Sequence, residues 1–143
     1  MFSQLSVQDK YTIQLAAHGV VALMASSAPG ALTAPRAGIA GAKAMSTATG
    51  LTGQVLAEKP PKLPFRGSVT STAEIVLPAL AESVKILDRV QEGEAENFRR
   101  TMKMIAESAA NANGSTTPAE SEMLRKIKEA LCGNPKPDPN DSL

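Results

Sequence analysis

Three features of the chain predict an all-α fold, a compact bundle of about five helices in one domain. Apolar residues recur at three- and four-residue steps along most of the 143 residues. Nowhere do two runs of alternating apolar and polar residues meet across a hairpin turn. Gly, Pro, Ser and Thr punctuate the chain where helices would stop and start. The length suits one domain rather than two. That domain is expected over 1–133, with a disordered, polar, proline-punctuated tail (NPKPDPNDSL) over 134–143.

The first helix is expected to start after Ser6, with Asp9 at the third helical position, where a carboxylate meets the positive end of the helix dipole. Ile13, Ala16, Ala17, Val20, Leu23 and Met24 follow at helical spacing, and Val21 and Ala22 widen the stripe. Such a helix is buried on most sides. Ala28-Pro29-Gly30 ends it. Thr33 is the next expected cap, with Pro35 in the first turn. The helix that follows is dense in small residues: Ala34, Gly38 and Ala42 on one row, Ala37, Gly41 and Met45 on another. Gly38 and Gly41 are therefore candidates for close helix packing or self-association. Gln54-Val55-Leu56 allows a short helical turn.

The segment 59–67 (KPPKLPFRG) breaks the pattern, because Pro60, Pro61 and Pro64 favour an extended chain. Ser71-Thr72-Ala73-Glu74 has the form of a capping box, and Pro78 predicts either a kink or a helix start near it. Leu77, Leu80, Val84 and Leu87 form the next stripe, ended by Gly93. Ala95, Phe98, Met102, Ile105 and Ala109 predict the most regular helix, over 94–112. Gly114 suits a left-handed residue after it. Thr117-Pro118-Ala119-Glu120 combines a cap, a first-position Pro and a third-position Glu, and Met123, Ile127 and Leu131 supply the last buried stripe.

Composition narrows the function. Lys plus Arg number 15 and Asp plus Glu 14, a net charge of +1. Near-balance argues against a dedicated nucleic-acid binder. One Cys and one His leave no disulfide framework and no multi-His or Cys-rich metal centre. With no Trp, one Tyr and three Phe, burial must come from Leu, Ile, Val and Met, and Ala is the commonest residue. Up to Ala57 the only charged residues are Asp9, Lys10, Arg36 and Lys43. The uncharged stretch 11–28 reaches the lower edge of a membrane-spanning length, but Gln14 and His18 interrupt it. Ser26-Ser27-Ala28 has the form of a signal-peptide cleavage site, whereas the residues before it lack a net basic charge.

Candidate chemistry is sparse. His18 follows Gln14 by one turn among apolar neighbours, with no nucleophile or orienting carboxylate placed beside it by sequence. Cys132 ends the last helix, a position that does not activate a thiol. Glu92, Glu94 and Glu96 gather where a helix N-terminus is expected and complement its dipole. Gly38-Ile39-Ala40-Gly41 follows no strand and makes no phosphate loop. Pro61-Lys62-Leu63-Pro64-Phe65-Arg66 is a proline-x-x-proline motif with a trailing cation, a form that binds aromatic grooves because little entropy is lost. Packing of Leu63 and Phe65 back on the domain is the other reading. Partial exposure is expected, with Phe65 tucked in and the cations solvated.

Two junctions share a spacing: Ala28-Pro29-Gly30, Thr33, Arg36 and Ala112-Asn113-Gly114, Thr117, Glu120. Short turns between helices favour Gly and then Thr in any case; a degenerate duplication is the alternative. The stretch 111–120 (NANGSTTPAE), followed by Met123, Leu124, Ile127 and Leu131, resembles the tellurite-resistance TerB-like helical proteins. In those, Ala-Asp-Gly, five variable residues and Glu mark a helix junction. The resemblance covers 102–131 and implies a helical fold. It does not carry metal chemistry across. Asn113 stands where the family has Asp, and at the first junction Pro29 and Arg36 stand at the Asp and Glu positions. Glu120 alone remains, whereas a hard cation needs about six oxygens.

The expected function is thus a non-catalytic, cytoplasmic helical interaction module without cofactor. Its partner is a protein or a second copy of itself rather than a membrane, with no nucleic acid. Lys59, Lys62, Phe65 and Arg66 are the partner-binding candidates. The alternatives are a membrane-associated protein using 11–57, or a small-molecule or lipid binder with an aliphatic cavity between helices.

Overall fold

The computed structural model describes residues 5–28, 30–65, 68–114 and 116–132. Arg66 and the expected tail over 134–143 lie outside these residues. Among the described residues every regular element is an α-helix: α1 (Val7–Ser27), α2 (Gly30–Met45), α3 (Gly50–Ala57), α4 (Val69–Val90), α5 (Glu94–Ala110) and α6 (Pro118–Leu131). The all-α expectation holds. The sixth helix is α3, where the sequence had offered only a turn around Val55.

Helix α1 is the hub, packing against each of the other five. Ile13, Ala16, Ala17, Val20, Leu23 and Met24 are all fully buried. Its start is the expected one. Ser6 Oγ accepts from the Asp9 N–H, and Asp9 Oδ2 accepts from the Ser6 N–H, a reciprocal pair that satisfies two otherwise unpaired donors. The α1–α4 contact is the most extensive in the chain. It closes on Gly19, where an added Cβ would lie 2.3 Å from Val76 Cγ2.

Several boundaries differ from expectation. Helix α2 begins at Gly30, so Thr33 lies within it and is not a cap, and Pro35 falls in its second turn. The helical preference of the Ala-rich segment outweighs the one hydrogen bond that Pro35 forgoes, and its ring faces solvent. The two junctions with similar spacing are consequently unlike in structure. Helix α4 starts at Val69, not Ser71 or Pro78. Ser68 Oγ accepts from the Ser71 N–H at 3.1 Å. Starting one turn earlier adds Val69 to the residues of α4 that pack on the core. Pro78 sits exposed inside the continuous helix.

The last two helices follow their sequence signals. Ala95, Phe98, Met102, Ile105 and Ala109 are buried along α5. Gly93 and Gly114 adopt φ of +83° and +85° in the turns before and after it, a region that glycine enters without penalty. Thr117 Oγ1 accepts from the Glu120 N–H while Glu120 Oε1 accepts from the Thr117 N–H. Arg99 Nε donates to the Leu131 carbonyl at 2.8 Å, tying the end of α6 to α5.

Candidate functional site

Helix α3 is eight residues long, too short to persist alone. It is held at both ends by side chains from other helices. Thr49, its N-cap, makes no side-chain capping bond. That task falls to Glu94 at the start of α5. Glu94 Oε2 accepts from the Thr52 N–H at 2.8 Å, Thr52 Oγ1 at 2.9 Å and Asn97 Nδ2 at 2.9 Å. Asn97 Nδ2 also donates to the Thr49 carbonyl. Glu94 is buried to 4 % exposure and places its charge at the positive end of α3. Sequence alone assigns Glu94 to the start of its own helix, not to α3. Gly50, with φ +68°, leaves the room this carboxylate needs, since a Cβ there would meet Glu94 Oε1 at 3.1 Å.

The other end of α3 is held by α1. Gln14 Nε2 donates to the Val55 carbonyl at 2.8 Å and to the Glu58 carbonyl at 3.1 Å. Carbonyls only accept, so the Gln14 amide nitrogen is committed there and its oxygen faces His18 Nε2 at 3.0 Å. His18 Nε2 therefore carries the proton. Burial pushes the His18 pKa below its ordinary value, which keeps the ring neutral. Of the polar residues that interrupt the apolar stretch of α1, Gln14 thus holds the C-terminal end of α3 and His18 holds Gln14.

This clamp sets the direction of the irregular segment 59–65. Glu58 is already extended, at φ −74° and ψ 156°. Leu63 and Phe65 are half-buried and pack on the core, whereas Lys59, Pro60, Pro61, Lys62 and Pro64 are exposed. From Lys62 to Phe65 exposure alternates: Lys62 and Pro64 face outward, Leu63 and Phe65 inward. Beside the segment lies a groove of about 250 Å³ lined by Val7, Lys10, Tyr11, Gln14, Glu58, Lys59 and Pro61. Val7, 88 % exposed, stands at its rim. Lys10 Nζ pairs with Glu58 Oε2 at 3.2 Å, and this pair also borders a second groove of about 190 Å³ lined by Leu51 and Val55. Lys59 and Lys62 make no ion pair among the described residues.

Of the sequence candidates, Lys59, Lys62 and Phe65 therefore lie on one segment, with the cations outward and Phe65 inward. Arg66 lies outside the described residues. Gly38 and Gly41 belong elsewhere, on the face of α2 turned to α1 and α5. A Cβ on Gly41 would meet Val21 Cγ2 at 3.2 Å and Ala109 Cβ at 3.6 Å, and one on Gly38 only Ala25 Cβ at 3.9 Å. Gly41 is buried and serves packing within the chain. Val7, Lys10 and Tyr11 were missed as groove residues, because nothing in the sequence places the start of α1 against the end of α3. Among the described residues, no three His, Cys, Asp or Glu side chains gather where they would hold a metal ion. No described helix is long and apolar enough to cross a membrane. The chain matches no protein-family model, no curated protein and no solved structure.

Proposed function

We propose that the protein is a non-catalytic interaction module that presents the proline segment 59–65, with the groove beside it, to an acidic protein partner. The observation that carries this reading is the division of the segment into two sides. Leu63 and Phe65 fix it to the core, while Pro61 and Pro64 stand outward beside Lys59 and Lys62, which make no ion pair among the described residues. A segment already anchored by its apolar residues loses less conformational entropy when a partner engages it. Exposed cations at the rim attract acidic side chains and set the rate of encounter more than the final affinity. Val7 and Tyr11 add apolar area next to Pro61. The resemblance of 111–120 to TerB-like junctions enters this proposal as support for the helical scaffold only.

The test is selection of binders from a displayed library of random peptides, followed by Lys59→Glu with Lys62→Glu. Enrichment of acidic sequences that bind the native protein and lose affinity for the double variant, with thermal unfolding unchanged, supports the reading. Selected peptides without acidic bias, or equal affinity for the variant, would refute it.

A further inference from the structure

A second surface is built differently from the proline segment and is independent of it. Helices α2 and α5 run antiparallel: Gly41 lies against Ala109, and Thr47 Oγ1 against Met104 Sδ at 4.0 Å. Their outer flanks form one face. Arg36 and Lys43 lie two turns apart on α2 and are exposed. Arg100 is exposed on α5 and Lys103 is half-buried beside it. None of these four cations has an ion pair among the described residues. The neighbouring acids on α5 are already neutralised, Glu96 by Arg99 at 3.3 Å and Glu107 by Lys128 at 3.1 Å. Helix α2 contains no acidic residue at all.

The same face exposes large apolar side chains. Ile39 is 68 % exposed and Met104 39 %. Beside Met104 there is only an open depression on α5, lined by Arg100, Lys103, Met104 and Glu107. We infer that this face docks on an anionic lipid bilayer, with Ile39 and Met104 entering the headgroup layer and Arg36, Lys43, Arg100 and Lys103 meeting its phosphates. Charge alone would equally suit an acidic polymer. Shape and apolarity decide for the bilayer. Anchor residues of a protein interface usually sit in closed pockets, and a nucleic acid gives an outward aliphatic side chain no apolar destination. A planar anionic surface with hydrocarbon beneath it accommodates both the protruding Ile39 and the cations around it.

Co-sedimentation with vesicles tests this on the full chain. One set is phosphatidylcholine alone and the other phosphatidylcholine with one-third phosphatidylserine. The protein is expected to pellet with the anionic set only, and less as salt is raised. Each cation near such a surface contributes about fivefold in affinity, so Lys43→Glu with Arg100→Glu should weaken partition by about 25-fold or more. Ile39→Ser should weaken it with all charges kept, and both variants should unfold at the native temperature because the altered side chains are exposed. Equal binding to neutral vesicles, no binding to either set, or unchanged partition of the double variant would overturn the inference. So would capture of a soluble decaglutamate peptide by this face without any vesicle binding, which would assign it to an acidic protein.

Discussion

Gly19→Ala is the substitution for which two opposed effects are closest to being resolved by geometry. In an isolated helix the change is favourable by about 0.5–1 kcal/mol, because alanine loses less backbone entropy. In this chain the new methyl would lie 2.3 Å and 2.7 Å from the two γ-carbons of Val76 and 3.0 Å from its Cβ. Rotating the Val76 side chain would relieve the first two contacts but not the third. Helices α1 and α4 must then move apart along their most extensive contact. Overpacking of this kind costs about 1–3 kcal/mol, so a net loss of about 1–2 kcal/mol is expected. For a domain of this size that is a fall in Tm of about 3–8 °C. Urea denaturation of the native chain, Gly19→Ala, Val76→Ala and the double variant measures it. In the double variant the methyl at 19 fills space that Val76 vacated, so its loss should be smaller than the sum of the singles by about 1 kcal/mol. A Gly19→Ala chain as stable as the native one would show that α1 and α4 do not approach as closely as described.

Other substitutions probe the elements that place the proline segment. Glu94→Ala removes the acceptor of three hydrogen bonds and leaves the buried Thr52 N–H unpaired, at a cost of about 3 kcal/mol. Glu94→Gln, which keeps an acceptor oxygen, should lose less in the same denaturation assay. Gly41→Leu should cost about 1–3 kcal/mol by crowding Val21 and Ala109, while Gly41→Ala stays within about 1 kcal/mol of native; equal stability of both variants would contradict the packing at this site. His18 gives a pH dependence. Its pKa is lowered by burial in the folded chain, so the unfolded chain takes up its proton first. The stabilisation is complete above the unfolded value of about 6.5 and is lost as pH falls from there toward the lowered folded pKa. Tm measured from pH 7.5 to 5.5 should therefore fall more steeply in the native chain than in His18→Gln, and parallel curves would refute it.

The sequence was most informative where a local signal and the buried stripe agree. At Thr117-Pro118-Ala119-Glu120 and at Ser6 the cap, the dipole and the apolar periodicity all select one start, and both helices begin there. Where they diverged, burial decided. Ser71 and Pro78 lost to a start at Val69 because an extra turn of α4 packs on the core, and Pro35 was accepted inside α2. The candidate site was half legible. Three prolines and their flanking lysines mark 59–65 without any tertiary information. The groove beside it was not legible, since it requires α1 and the end of α3 to meet across more than forty residues through Gln14. Gly19 gave no signal either; its role depends on Val76 in a helix elsewhere in the chain. Glu94 was legible as a helix-start residue, but its partner at Thr52 lies 42 residues away.

The proposed site for an acidic partner is the outward side of 59–65 with the groove bordered by the start of α1. Titrating the isotope-labelled protein with an acidic peptide from the display selection, and following its backbone amide resonances, tests this directly. Shifts are expected to concentrate in 7–14 and in the amide-bearing residues of 58–65, with α2 and the outer flank of α5 unmoved. Shifts centred on Arg36, Lys43 and Arg100, or spread evenly over the helices, would contradict it.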